Sequence, residues 1–204
     1  MVYAPDNSFR QACMNSNVPL DALESAVESV GTVSGTGVSV EEKGFGFFKT
    51  TKITFDDTAV TMVDNAGVTA YGSLKVYTFP VGYIYTQSAC TDLALTLSSA
   101  GINATWDGDI GVGTVAANNT ATPLATTEQN IIPNTATPQA VSSATTGDAI
   151  STATEHAVFN GTSSAVEVYV NLLVDDADHD VTTTPCNIIL NGTLILNWVF
   201  MGDN

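Results

Sequence analysis

The clearest order in this sequence is a period of two. In Ala165-Val-Glu-Val-Tyr-Val-Asn-Leu-Leu-Val174, Val166, Val168, Val170, Leu172 and Val174 fall on one side, and Glu167, Tyr169 and Asn171 on the other. Alternation this strict, rich in β-branched residues, predicts a strand with one face on a core and one toward water or a partner. The tail repeats it, with Leu194, Leu196, Trp198 and Phe200 alternating with Thr193, Ile195, Asn197 and Val199. Shorter apolar runs predict strands over 45–55, 59–63, 73–79, 83–88, 93–97 and 110–115. Turn residues separate them, among them Asp56-Asp57, Pro80-Val-Gly82 and Asp107-Gly-Asp109, while Asn160-Gly161 and Asn191-Gly192 are hairpin signals. Short strands at this spacing predict an all-β fold, a jelly-roll-like antiparallel β-sandwich.

Two stretches depart from the pattern. Over 19–30, the spacing of Leu20, Leu23, Val27 and Val30 fits a helix face with Asp21, Glu24 and Glu28 outward, and the glycines from Gly31 to Gly37 end it. Residues 1–17 have no period and read as a frayed terminus, or as an arm that orders against a partner through Phe9, Arg10 and Met14. The chain thus divides into an N-terminal arm with a short helix, 1–37, and one sandwich domain, 38–204. Within that domain, residues 116–156 crowd Ala, Thr, Asn, Ser and Pro around isolated apolar anchors such as Ile131 and Ile132, which reads as long, ordered loops with irregular strands pinned across a surface, the alternative being a disordered linker.

Charge narrows the function. The chain of 204 residues carries a formal net charge of −16, and only 13% of its residues are charged. All five basic residues (Arg10, Lys43, Lys49, Lys52 and Lys75) precede position 76. Binding a nucleic acid or an anionic membrane requires Lys and Arg, so neither is an expected partner of the C-terminal two-thirds. Three cysteines at long, irregular spacings (Cys13, Cys90 and Cys186) read as free, mostly buried thiols. The first residues show neither a basic nor an apolar signal region, so the expected place of synthesis is a reducing cytoplasm.

Motifs for chemistry are few. Gly111-Val-Gly113-Thr-Val-Ala116 matches a dinucleotide-binding string, but the residues after it form a poor helix; glycines where a strand packs closely is the better reading. Asp176, Asp178 and Asp180 alternate as in the start of a calcium loop and are the candidate metal ligands. The glycine and distal glutamate of an EF-hand are missing, so a solvated loop is the competing reading. His179 among these acids reads as a surface group, and Trp106 beside Asp107 and Asp109 as the candidate platform for a sugar. No G-x-S-x-G elbow occurs, and no catalytic residue or cofactor other than calcium is expected.

The strings Gly72-Ser-Leu-Lys-Val-Tyr-Thr-Phe-Pro-Val-Gly82, Gly111-Val-Gly-Thr-Val115, Thr127-Glu-Gln-Asn-Ile-Ile-Pro133, Phe159-Asn-Gly161, Tyr169-Val-Asn171 and Asn191-Gly-Thr193, with Trp198 and Gly202-Asp203, resemble tailed-bacteriophage structural proteins. The resemblance runs from about residue 38 to the end and points to capsid decoration, or cement, proteins. It implies a jelly-roll body, a homotrimer and a seat on the outer capsid surface. The implied partner is the phage major capsid protein. The resemblance also implies a virion component without enzymatic activity. The first 37 residues fall outside the resemblance; the placing of all basic residues before position 76, together with the N-terminal arm, makes Phe9, Arg10 and Met14 the candidate capsid contacts. The alternative function is a carbohydrate- or receptor-binding sandwich.

Overall fold

A computed structural model describes residues 32–33, 35–64, 69–103, 105–118, 124–136, 151–152, 157–175 and 179–202. The predicted helix over 19–30 lies outside them, as do Phe9, Arg10, Met14, Cys13, His156, Asp176 and Asp178. The described residues form strands β1 (Thr32–Val33), β2 (Val38–Phe45), β3 (Phe48–Thr61), β4 (Val63–Asp64), β5 (Thr69–Thr78), β6 (Tyr83–Leu97), β7 (Gly108–Gly113), β8 (Ile132–Ala136), β9 (Ser151–Thr152), β10 (Ala157–Asn160), β11 (Glu167–Asp175) and β12 (Asn187–Phe200). A 3₁₀ turn, Thr126–Glu128, lies between β7 and β8.

The strands make two antiparallel sheets. One has the order β1-β5-β11-β7-β8 with β4 added to β5; the other has β10-β6-β12-β3-β2 with β9 added to β6. Take the principal strands in chain order as β3, β5, β6, β7, β8, β10, β11 and β12. The first then pairs with the last (β3 with β12), the second with the seventh (β5 with β11), the third with the sixth (β6 with β10) and the fourth with the fifth (β7 with β8). This nested pairing is the jelly roll, with β1 and β2 added to the edges of its two sheets. The fold is the all-β sandwich that the alternation predicted.

The core lies between the sheets. Ile53, Phe55, Val60, Ile84, Leu93, Leu95, Leu190, Leu194, Leu196 and Trp198 from one sheet join Val76, Ile110, Val112, Val168, Val170, Leu172 and Val174 from the other, all buried. The predicted core positions of β11 and β12 are all there, Val166 and Phe200 as partly buried flanks. Tyr77, Phe79 and Trp198 stack edge to face, with centroids 5.3 Å and 5.1 Å apart, the arrangement that ring quadrupoles favour.

Three predicted boundaries are corrected. The run at Asp56-Asp57 is not a turn but a bulge inside β3, because Leu190 pairs with Thr58 while Gly192 pairs with Phe55. Ser88 does not end a strand either; β6 continues to Leu97 past a bulge at Gln87, opposite Asn197 and Trp198. Asn191-Gly192 is not a hairpin but lies within β12, where Asn191 accepts a hydrogen bond from the Asp57 amide (2.9 Å) and donates one to its carboxylate (3.0 Å). Asn160-Gly161 does turn the chain, but it carries it from β10 in one sheet to β11 in the other.

The outer face of β11 is covered by the chain itself. Asn171 is fully buried there. Its Nδ2 donates to the carbonyls of Val115 (2.9 Å) and Glu128 (2.7 Å), and its Oδ1 accepts from the Ala117 amide (2.9 Å) and the Ser73 hydroxyl (2.6 Å). Buried Glu128 in turn accepts from the amides of Asn118 and Ala125. Gly113 makes the cover fit, since a Cβ there would come within 2.3 Å of Glu128 backbone. The reading of Gly111 and Gly113 as close-packing glycines holds, and both glycines lie in β7.

Candidate functional site

The two ends of the sandwich differ in chemistry. At one end β2 and β3 meet in a hairpin whose strands close at the pair Phe45 and Phe48 around Gly46-Phe47. Gly46 has a φ of 60°, and Phe47 is not in the positive region. Glycine first is what a type II′ hairpin turn requires. The tip projects beyond the core, leaving Phe45 77%, Phe47 66% and Phe48 59% exposed. The Phe47 carbonyl accepts from the Phe200 amide at 2.9 Å, which ties the tip to the end of β12. Phe47, Phe48, Val199, Phe200 and Met201 line a shallow recess of about 250 Å³.

Four lysines lie on the strands that lead to this end, and Lys49 among them is buried. Lys49 pairs across β3 with Gly44 and Trp198, Lys52 with Glu41 and Ile195, and Lys43 lies two residues from the tip. Lys75, near the corresponding end of β5, is 2.9 Å from Glu167. That lysine and a hydrogen bond from Tyr169 hold the Glu167 carboxyl below the ordinary glutamate range, the tyrosine contributing most. The reciprocal effect raises the Tyr169 phenol to about 12. Just inside the tip, the Tyr77 hydroxyl donates to Glu42 Oε2 at 2.6 Å, and the Trp198 indole donates to Thr51 at 2.8 Å. Burial first, then the Glu42 hydrogen bond, pushes the Tyr77 phenol far above its ordinary value.

The opposite end gathers acids: Asp64 on β4, Asp107 and Asp109 at the start of β7, Asp175 closing β11, and Asp180. Of the predicted metal ligands only Asp180 is described; it is exposed and accepts from the Thr183 hydroxyl. Among the described residues, no three His, Cys, Asp or Glu side chains gather as metal ligands. His179 is not the surface group its acidic neighbours suggested. Its side chain is 3% exposed, with Nδ1 4.0 Å from Asp64, because the residue forms a bridge with Ile102 against the sheet end. Trp106 is fully buried and offers no face to a sugar. Of the cysteines, Cys186 is a buried free thiol and Cys90 a half-buried one.

The sequence reading missed β2, half of the hairpin that presents the tip. The signal was present in the alternation of Val38 and Val40 with Ser39 and Glu41, but Glu42 occupies the next inward position and breaks the apolar series.

No family model matches this chain, and no curated protein matches it. Among solved structures, the enzymatically active domain of bacteriophage CBA120 tailspike protein 4 aligns with 87% of this chain at 12% identity and a TM-score of 0.26. This chain spans about a fifth of that protein's length (21%). A superposition of that quality establishes neither a shared fold nor a shared activity.

Proposed function

We propose that this protein is a non-enzymatic structural component of a bacteriophage virion. It seats on the outer capsid surface as a homotrimer and bridges major capsid protein subunits. The observation that carries the reading is the polarity of the sandwich. One end presents three exposed phenylalanines, with Lys43 and Lys75 near it each paired to a glutamate, and the other gathers five aspartates. An exposed apolar patch of this kind marks a protein contact, and the resemblance of the chain's strings to phage structural proteins supplies the partner. The chain before Thr32 joins the fold at the aromatic end, because Thr32 pairs with Thr78 at the end of β5. Many such contacts on a repeating surface add by avidity.

The test is to measure the oligomer by light scattering and add it to undecorated capsids. The expected result is a trimer that binds and raises the temperature at which capsids open. Replacing Phe9, Arg10 and Met14 together lowers occupancy while the oligomer stays intact. A monomer that leaves capsids unchanged contradicts the proposal.

A further inference from the structure

β2 is an open edge of its sheet. Among the described residues it pairs with β3 alone, and at eight residues it is the longest edge strand. β8 has five residues and carries Pro133, and β10 has four; shortness and proline are usual guards of an edge. We propose that β2 is a contact between copies of this chain, pairing with β2 of a second copy antiparallel about a two-fold axis through Glu42, so that two sheets join into one.

The backbone has the phase this pairing needs. The Asp56 amide donates to the Gly37 carbonyl and the Phe200 amide to the Phe47 carbonyl, both at 2.9 Å. Even positions of β3 therefore bond to β2 and odd ones to β12. On β2 the odd positions are used up by β3, so the amides and carbonyls of Val38, Val40, Glu42 and Gly44 point to the open edge. Such an edge is a template for another strand.

The side chains choose the register. Ser39, Glu41, Lys43 and Phe45 are the exposed positions of β2, and only Glu41 and Lys43 are charged, 2.8 Å apart within one copy. Identical edges that close on each other do so about a two-fold axis. With the axis at Glu42, Val40 faces Gly44 of the other copy in a hydrogen-bonded pair. Glu41 faces Lys43 of the other copy in the closer, non-hydrogen-bonded kind, at about 4.5 Å between Cα atoms. Symmetry makes this contact twice and closes a ring of four alternating charges. Moving the axis by one residue opposes Glu41 to Glu41 or Lys43 to Lys43, which is destabilising. Glu42 meets Glu42 of the other copy, but its carboxylate is turned into its own sandwich, where Oε2 accepts from Tyr77 at 2.6 Å and Oε1 is buried. Val38 and Val40, only partly buried at the margin of the core, gain cover from the added strand.

This contact goes beyond the proposed function and does not depend on it. A two-fold pair cannot build a three-fold ring, so in a homotrimer each β2 joins a copy in a neighbouring trimer. Phe47, Phe48 and the recess beside Phe200 stay open, and Phe45 gains Ser39 of the other copy as a cross-strand neighbour. The rival is an edge that charge keeps solitary, since Glu41, Lys43 and the net charge of −16 discourage pairing of unlike registers and of copies in general. Salt screens the net charge beyond about 8 Å, whereas the opposed side chains touch.

The test is sedimentation equilibrium of the full chain from micromolar to millimolar concentration at physiological salt. The expected result is a smallest species, monomer or trimer, whose mass doubles as concentration rises. Lys43→Glu alone and Glu41→Lys alone each set like charges opposite and should weaken the doubling at least tenfold, the second although it lowers the net negative charge. An equimolar mixture of the two variants should restore it, because one copy then offers two positive charges and the other two negative ones. Val40→Pro removes an amide that points to the open edge, so it should abolish the doubling while thermal unfolding stays cooperative. A species that never doubles overturns the inference, as does doubling indifferent to these variants or a mixture that stays apart. Capsid binding, scored in parallel on Phe47→Ser, uses a surface that this contact leaves open, so either reading can fail alone.

Discussion

Asn171 shows how one side chain decides what covers a sheet. Its amide uses two donors and two accepted bonds, all to partners in the chain segment over β11 or on neighbouring β5. Asn171→Ala leaves buried carbonyls and an amide without partners, so the expected loss is about 3 kcal/mol, or roughly 6–12 °C in melting temperature for a domain of this size. Thermal unfolding by circular dichroism checks it. Tyr77 makes a second residue-scale prediction, with a pH signature. Its folded phenol ionises far above the ordinary value, so its stabilising contribution is complete below pH ~10 and is lost as pH rises beyond that. Tyr77→Phe removes the bond to Glu42 and should cost about 2 kcal/mol at neutral pH. The gap between the two proteins should narrow in urea titrations above pH ~10, because only the unaltered chain must keep that phenol neutral. A gap that widens there contradicts the assignment.

At the scale of elements, the bulges govern how much of the fold was legible. In β3 the inward positions run Lys49, Thr51, Ile53 and Phe55, then Thr58 and Val60, so the parity changes across Asp56-Asp57. In β6 it changes across Gln87-Ser88. A strand whose phase slips by one residue reads as two strands with a turn between them, which is why 45–55 and 59–63 looked separate. Asp57 takes the strained position, at a φ of 47°, and Asn191 holds it through two hydrogen bonds. Gly192 beside it sits between β3 and β6 at a φ of 131°, where a Cβ would come within 2.1 Å of the Asp92 carbonyl. Gly192→Ala is therefore expected to cost about 3 kcal/mol or more, measured by urea unfolding. A silent substitution would mean that this bulge is not rigid. By contrast β11 and the second half of β12 were readable, because their alternation runs without a slip between Val168 and Val174 and between Leu194 and Trp198.

At the scale of the whole molecule, the distribution of charge matters more than its sum. A net charge of −16 keeps copies apart in general, and the fold gathers five aspartates at the end far from the exposed phenylalanines. The capsid assay belongs to this scale, because the proposed end-on seat would engage the hairpin tip and the end of β12 together. The sequence by itself determined the period-two strands, the core of β11 and β12, the shortage of positive charge after Lys75 and the close-packing role of Gly111 and Gly113. Each of these is a local property, written in neighbouring residues. Only the tertiary structure decided that Trp106 and His179 are buried, that Asn171 faces a covering loop, and that Phe45, Phe47 and Phe48 project from the tip of a hairpin. These are outcomes of pairing between residues far apart in the chain: the antiparallel register of β2 on β3, and of β12 on both β3 and β6, sets which side chains the core can enclose and which it must leave outside.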